Sequence, residues 1–170
     1  MSDFEWKCSE KIQKKYIDNK EEKYYKIDLG IQKVNPQEII ALSRSLDDEK
    51  LERLRERVKE EGWIDKGPQT ILLWKLPNKK LVVSGEGNHR AYFCKTEGIE
   101  EIKATLSLIV DISKLTEKQQ ELLDEKEKNY FAACTNYMNC DDSIEEKELL
   151  KLLDEADKDR YKFLQKIKLI

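Results

Sequence analysis

The most constraining feature of this sequence is a turn with two glycines, Ser84–Arg90, which follows the apolar run Leu81–Val83. The apolar run predicts a short buried strand, and the residues after the turn predict a short helix. Gly85 and Gly87 carry no Cβ atom that would block a close approach of the backbone. A strand, a glycine turn and a helix together present unpaired N–H groups and the positive end of a helix dipole. The pattern therefore favours an anion site.

His89 and Arg90 fall in the first turn of this predicted helix, where the helix dipole disfavours cations. An anion bound at the same place would offset that cost. The alternative is a tight turn with two solvated polar residues, because the glycine spacing matches neither GxGxxG nor a P-loop. We expect Arg90 to be exposed and to contribute little to the stability of the fold.

The order strand, Gly-x-Gly-x-His-Arg, helix is similar to the signature of the ParB/sulfiredoxin superfamily. The resemblance spans roughly residues 24–112. It includes Val34–Ile39 as opening strand and turn, 48–61 as the next helix, Pro68–Trp74 as a strand and 98–110 as the closing strand. It implies an α+β fold, a small mixed sheet with helices of ParB/sulfiredoxin type, that binds a nucleotide or DNA-associated partners.

The clearest predicted helix runs from Asp48 to Glu61, with Asp47 as its cap and Gly62 as its end. Beside its apolar stripe three cations share a face: Lys50, Arg53 and Arg57. These cations either flank the glycine turn and hold a phosphate, or form a solvated face paired with neighbouring carboxylates. In sulfiredoxin-like domains this helix faces the nucleotide. Lys50 matches a lysine of that family, whereas small hydroxyl residues are usual at the positions of the two arginines.

Four further elements complete the predicted domain. We expect a strand from Tyr24 to Val34 with a bend at Gly30, helical turns over Pro36–Leu42, a β-hairpin over 69–84, and a strand over Ile102–Val110. The predicted core consists of Leu51, Leu54, Val58, Ile71, Leu73, Val82, Leu106 and Leu108.

After Val110 the pattern predicts a C-terminal helical extension, 113–170, with capping boxes at Thr116/Gln119 and Ser143/Glu146. Residues 1–22 form a charged N-terminal segment, and 23–112 form the ParB/sulfiredoxin-like domain. The apolar faces of the C-terminal helices either pack on the domain or form the seam of a homodimer or of a complex with another protein. The extension lacks the helix-turn-helix of ParB proteins. We therefore do not expect this chain to share the role of ParB proteins in partitioning.

The net charge of −3 argues against DNA binding driven by bulk positive charge, although a local basic face remains open. The four cysteines show neither a CxxC pair nor zinc-ligand spacing, so we expect no metal site in the chain. No run approaches the roughly 20 apolar residues of a membrane span. We therefore expect a cytoplasmic protein with reduced thiols and no membrane partner.

Sulfiredoxin needs a cysteine immediately before the His-Arg pair, and this chain has Asn88 there, so sulfinic-acid reduction is not expected. The resemblance implies instead a nucleotide, ATP, ADP or CTP with Mg²⁺, bound by residues of the turn and of the preceding helix. These are Gly85, Gly87, Asn88, His89, Arg90 and Lys50, and the shared face of the predicted helix adds Arg53 and Arg57.

Whether the chain is an enzyme stays open in the sequence. Candidate catalytic residues for an NTPase or small-molecule kinase are Glu86, Glu38 and His89. The two alternatives to a nucleotide-binding protein are a DNA-associated accessory protein that uses its local basic face, and a non-catalytic interaction module on the same fold.

Overall fold

The computed structural model describes residues 4–18 and 23–170, and the chain divides into two compact units, Met1–Asp111 and Ile112–Ile170. Within the described residues, the first unit is built on a mixed sheet of six strands. The second unit is a pair of long helices. The fold is therefore α+β with a helical C-terminal part, as the sequence predicts.

The sheet combines parallel and antiparallel neighbours. Its strands are β1 (Lys7–Cys8), β2 (Tyr24–Val34), β3 (Ile39–Leu42), β4 (Leu72–Lys75), β5 (Leu81–Val83) and β6 (Ile102–Asp111). Their order across the sheet is β1-β3-β5-β4-β6-β2. Strands β1, β3 and β5 are parallel, β4 forms an antiparallel hairpin with β5 and runs parallel to β6, and β2 is antiparallel to β6. The predicted bend at Gly30 is a register shift between β2 and β6.

Three helices belong to the sheet unit and two to the C-terminal unit. They are α1 (Ser9–Ile17), α2 (Asp48–Glu61), α3 (Asn88–Thr96), α4 (Glu117–Met138) and α5 (Ser143–Lys166). Helix α2 has the predicted bounds, because the Asp47 side chain accepts the Lys50 N–H at 3.1 Å and Gly62 ends the helix with φ of +76°. Short 3₁₀ turns occupy Pro36–Glu38, Pro68–Thr70 and Ile112–Lys114.

The predicted helical turns over Pro36–Leu42 are wrong beyond Glu38, where the chain enters strand β3. Ile39 is fully buried and pairs with Leu81 of β5. A β-branched residue suits this position in a sheet, and pairing with a distant strand outweighs the local helical signal.

The predicted capping box at Ser143 is also wrong. Asp142 is the cap of α5, its side chain accepts the Ile144 N–H at 2.9 Å, and Ser143 is the first helical residue. The box predicted at Thr116 and Gln119 is confirmed at the start of α4.

Residues near the N-terminus are part of the sheet unit. Strand β1 pairs with β3, and Ile12 and Tyr16 of α1 pack on a buried cluster that includes Ala41 and Val82. Residues 1–3 and 19–22 of the predicted N-terminal segment lie outside the described residues. All but one of the predicted core residues are buried, the exception being the partly buried Val58.

Helices α4 and α5 form an antiparallel hairpin with a buried ion pair. The Arg160 guanidinium donates to the Glu127 carboxylate at 3.1 Å and to Asp157 at 2.9 Å. Its carbon lies 3.6 Å from the centroid of the Tyr130 ring, a cation–π distance. Arg160 and Glu127 are each only 2% exposed, so both charges depend on their partners.

Candidate functional site

The glycine turn follows β5 and leads into α3 with two residues of positive φ. Gly85 has φ of +91° and Gly87 has φ of +96°. A Cβ on Gly87 would lie 2.8 Å from the Cα of Ile71, whereas a Cβ on Gly85 would meet open space. Position 87 therefore requires glycine for two reasons: its φ is positive, and the backbone at Ile71 leaves no room for a Cβ atom.

Asn88 fastens this turn to the end of β3. Its Oδ1 accepts the Ser43 N–H at 2.8 Å, and its Nδ2 donates to the Gly85 carbonyl at 3.0 Å. The Gly85 N–H donates to the Ser43 hydroxyl at 3.2 Å. Asn88 is 5% exposed, so its amide is committed to holding the turn in place.

His89 connects α3 to the start of α2. Its Nε2 accepts the Asp47 N–H at 2.8 Å, so this ring nitrogen acts as a hydrogen-bond acceptor. Asp47 also caps α2, and hydrogen bonds from the Lys50 and Glu49 backbone lower the pKa of its carboxyl group. His89 therefore orients the two helices relative to each other.

The Arg90 side chain is partly buried and ties α3 to the loop before β4, contrary to the expectation of an exposed arginine. One guanidinium nitrogen donates to the Lys66 and Gly67 carbonyls at 2.8 and 3.0 Å. The other donates to the Thr70 carbonyl at 2.9 Å and hydroxyl at 2.6 Å. Burial lowers the pKa of this guanidinium, and the charge of Arg57 acts in the same direction. An arginine nevertheless stays charged in a protein.

A cleft of about 310 Å³ lies between the end of α2, the following loop and α3. It is lined by Leu54, Arg57, Val58, Glu61, Gly62, Trp63, Ile64, Lys66, Gly67 and Arg90. The structure thus brings together two of the predicted anion-binding residues, Arg57 and Arg90. The Arg57 side chain is exposed and makes no hydrogen bond or ion pair within the described part of the chain. Three of the four charged residues that line the cleft are cationic: Arg57, Lys66 and Arg90.

The other predicted cations do not line this cleft. Lys50 and Arg53 are exposed on α2, and the Arg53 Nε donates to the Glu49 carbonyl at 3.4 Å. They therefore extend a basic surface along the helix rather than converge with Arg57 and Arg90.

The two candidate catalytic carboxylates lie at opposite ends of the parallel strands. Glu38 precedes β3 and forms an ion pair with Lys80 at 2.7 Å, and this hydrogen bond lowers the pKa of Glu38. The glycine turn and Ser43 lie at the other end of β3 and β5. Glu86 is exposed in the turn, near enough to Arg90 to raise the pKa of that guanidinium. Only Glu86 is available beside the turn.

Unsatisfied backbone donors cluster in the turn. The N–H groups of residues 86–90 donate to no acceptor within 4–18 and 23–170, and the first bonded N–H of the helix is that of Ala91, to Gly87 at 2.9 Å. The cap residue Gly87 has no side chain to satisfy them. These groups carry the partial positive charge of the helix start.

Sequence reasoning missed Ser43 and Trp63. Ser43 reaches the turn only because β3 is a strand parallel to β5, and that strand was predicted as helix. Trp63 lines the cleft and directly follows Gly62, the residue that ends α2. The predicted end of this helix is the sequence signal that could have located Trp63.

Comparison with family models, with curated proteins and with solved structures finds no match to this chain. No helix in the described residues is long and apolar enough to cross a membrane. The described ranges also contain no group of three or more His, Cys, Asp or Glu side chains placed to hold a metal ion.

Proposed function

We propose that this protein binds a phosphate-bearing nucleotide at the start of α3. The observation that carries the proposal is the run of unsatisfied N–H groups over 86–90, held in place by the bonds of Asn88 and by the steric requirement at Gly87. Consecutive backbone donors at a helix start are the arrangement that favours phosphate. The helix dipole adds roughly 0.3–1 kcal/mol for an anion there.

The neighbouring cleft offers complementary contacts for the rest of such a ligand. Arg57 provides a charge with no partner in the described chain, and it lies close enough to Arg90 to disfavour that second charge. An anion between them would relieve this repulsion. Trp63 supplies an aromatic surface at the same cleft, and bases stack on aromatic rings with roughly 1–3 kcal/mol each.

The proposed function is binding, and Mg²⁺ enters the site together with the phosphates of ATP, ADP or CTP. Mg²⁺ in nucleotide sites commonly takes one or two protein carboxylates and fills its other positions with phosphate and water. Glu86 is the carboxylate placed to contribute. An NTPase or kinase step would have to use Glu86 alone, because Glu38 is at the other end of β3 and His89 is engaged by Asp47.

We also propose that residues 24–112 form a ParB/sulfiredoxin-like domain. The support is the order of elements: an opening strand and turn, helix α2, the β4–β5 hairpin, the glycine turn, helix α3 and the closing strand β6 follow in the sequence that the resemblance implies.

The test is calorimetric titration of the full chain with ATP, ADP, CTP and GTP, each with and without Mg²⁺, beside thermal melts. A nucleotide at about 100 times its dissociation constant should add about 2.7 kcal/mol to the free energy of unfolding. Absence of heat with every nucleotide would contradict the proposal.

Variants of α2 locate the site. Arg57→Ala should weaken nucleotide binding about tenfold, since a charge-assisted hydrogen bond contributes roughly 1.5–3 kcal/mol. It should leave the ligand-free melt unchanged. The matched control is Arg55→Ala, an exposed arginine of the same helix that pairs with Glu52, and it should not change affinity. Equal effects of the two variants would place the ligand elsewhere.

DNA binding is the second candidate, favoured by the exposed Lys50, Arg53 and Arg57 along α2. Each phosphate neutralised should contribute a slope of about −0.9 in log affinity against log salt. The measurement is fluorescence anisotropy with a labelled duplex. Duplex affinity that is independent of salt, or unchanged in an Arg53→Ala/Arg57→Ala variant, would remove this candidate.

A further inference from the structure

A second cavity lies on the face of the sheet on which α1 packs. Strand alternation and pairing place Tyr24 and Lys26 of β2, Ile109 of β6 and Trp74 of β4 on this one face. Tyr16 of α1 packs on the buried cluster that contains Ile109. The cavity has a volume of about 330 Å³ and shares no described lining residue with the cleft beside α2. It is therefore a separate site within the sheet unit.

Aromatic side chains make up most of the wall of this cavity. They are Tyr16, Tyr24, Tyr25 and Trp74, four of the seven described residues that line it. The Tyr16 and Tyr24 rings meet edge to face with their centroids 4.7 Å apart, so each ring restricts the other. The buried Ile109 adds an aliphatic surface. A mostly apolar wall with few polar groups is typical of a small-molecule site, and this one is suited to a flat ring.

Lys26 is the one charged side chain among the described residues of the wall. Its ammonium nitrogen lies 5.7 Å from the centroid of the Trp74 ring. Its ion pair with Asp28 is 3.7 Å long and lies at the surface, so the pair contributes little to stability. An ammonium group has three donors, so a second anion can pair with Lys26 beside Asp28. Burial, with a smaller effect of Tyr24, raises the pKa of Tyr16, so the Tyr16 hydroxyl adds no negative charge near neutral pH.

We propose that this cavity binds a small aromatic carboxylate. The ring of the ligand lies against Tyr16, Tyr24 and Trp74, and its carboxylate pairs with Lys26. Burial of the ring supplies the hydrophobic part of the affinity, and the charge-assisted hydrogen bond fixes the orientation. Aromatic rings also attract ammonium ligands. A cation in this cavity would, however, meet the ammonium group of Lys26, which already lies over the Trp74 ring.

The volume of the cavity suits a ligand of one or two rings. About 330 Å³ corresponds to roughly eleven water molecules at about 30 Å³ each, and sites for small molecules begin at roughly 300 Å³. A nucleotide is the wrong class of ligand here, because its phosphates would face a single cation and an otherwise mostly aromatic wall. The carboxylate site is therefore independent of the proposed nucleotide site at the start of α3.

The test is calorimetric titration of the full chain with three ligands that share one ring system: 2-naphthoate, neutral 2-naphthamide and cationic 2-naphthylmethylammonium. We expect 2-naphthoate to bind with a dissociation constant below about 1 mM, and about tenfold or more tightly than the cation. The affinity of 2-naphthamide should fall between the two. Absence of binding by 2-naphthoate at about 1 mM, or equal affinities of the acid and the cation, would overturn the proposal.

Lys26→Met removes the charge at an exposed position and keeps an apolar stem, so the fold should be unaffected. It should weaken 2-naphthoate binding about tenfold and leave 2-naphthamide binding unchanged. The matched control is Lys33→Met, at an exposed lysine of the same strand that pairs with Glu101, and it should change neither affinity. Equal losses for the two ligands in Lys26→Met would show that Lys26 does not hold the carboxylate, which contradicts the proposal.

Two further variants separate this cavity from the cleft beside α2. Ile17 lines the cavity and is 67% exposed, so Ile17→Glu places a like charge beside the carboxylate without disturbing the core, and it should weaken 2-naphthoate binding. Arg57→Ala, in the cleft, should leave 2-naphthoate binding intact. Loss of binding in Arg57→Ala together with full binding in Ile17→Glu would place the acid in the cleft and overturn the proposal.

Discussion

The sheet unit and the C-terminal hairpin use their apolar residues in opposite ways. In the sheet unit the uncharged runs 67–74 and 104–110 pass through a core in which Leu73 and Val110 are each only 1% exposed. In the hairpin the longest uncharged run of the chain, 129–140, remains at the surface. The difference teaches that a run without charged residues does not by itself mark a buried segment, since Phe131 and Met138 of the hairpin run are 56% and 80% exposed.

The two units also bury their polar groups differently. In the sheet unit Asn88 is satisfied by neutral hydrogen bonds to Ser43 and Gly85. In the hairpin the buried pair is ionic, Arg160 with Glu127. All three tryptophans lie in residues 1–111, so tryptophan fluorescence follows the sheet unit, while far-UV circular dichroism is dominated by the long helices of the hairpin.

The largest expected effect is at the ion pair. Arg160→Met should lower the free energy of unfolding of the hairpin by about 3–5 kcal/mol, because it leaves the buried Glu127 carboxylate without its cation. Urea unfolding followed by circular dichroism measures the loss. The double variant Arg160→Met/Glu127→Leu should recover most of it. A single variant that loses less than about 1 kcal/mol would show that the pair is solvated.

A pair of leucine truncations sharpens the contrast in burial. Leu54 is 6% exposed, so Leu54→Ala should lower the free energy of unfolding by about 2–5 kcal/mol, measured by tryptophan fluorescence. Leu152→Ala, at a side chain 55% exposed in α5, should cost under about 0.5 kcal/mol. Similar costs in urea melts of the two variants would contradict the contrast between the units.

The two glycines of the turn give a smaller effect within the sheet unit. Gly87→Ala should destabilise by about 2–4 kcal/mol, since a positive φ costs an L-residue roughly 1–2 kcal/mol and the contact with Ile71 adds overpacking. Gly85→Ala should cost only the conformational part, because its Cβ meets open space. The measurement is urea unfolding followed by tryptophan fluorescence. Equal losses would show that the chain at Ile71 moves aside.

The smallest effect concerns thiol chemistry. Burial raises the pKa of the Cys94 thiol to about 12, so its thiolate fraction near pH 8 should be roughly a thousandfold below that of an ordinary cysteine. Iodoacetamide should therefore label the exposed Cys8 in the native protein and spare Cys94, as peptide mapping by mass spectrometry would report. Rapid labelling of Cys94 would show that α3 opens readily.

The raised pKa of Cys94 also makes the free energy of unfolding depend on pH in the alkaline range. The folded state holds the Cys94 proton more tightly than the unfolded state, so this stabilisation is complete below the unfolded pKa, near 8.5. It is lost as the pH rises from there towards 12. Melts from pH 8 to pH 11 should decline more steeply in the wild type than in Cys94→Ala.

Much of the fold could be predicted because its signals are local. Asp47 and Gly62 delimit α2 by capping and by a positive φ, and the glycines before Asn88 mark the start of α3. The β4–β5 hairpin and the bulge at Gly30 follow from strand patterning in the same way. Less of the candidate site could be predicted, because side-chain direction depends on residues distant in sequence. Glu38 and Glu86 were both candidates, and only the parallel pairing of β3 with β5 separates them.

By itself the sequence determined where this chain turns, where its clearest helices begin, and that its apolar residues suffice for an α+β core. Tertiary structure decided that Ile39–Leu42 is a strand, that the Asn88 amide fastens the turn to Ser43, and that the Arg90 guanidinium is held by the loop at 66–70. The physical reason is the range of the interactions. Capping and φ preferences act within about four residues, whereas strand pairing and buried hydrogen bonds need partners that only the folded chain brings within 3 Å or so.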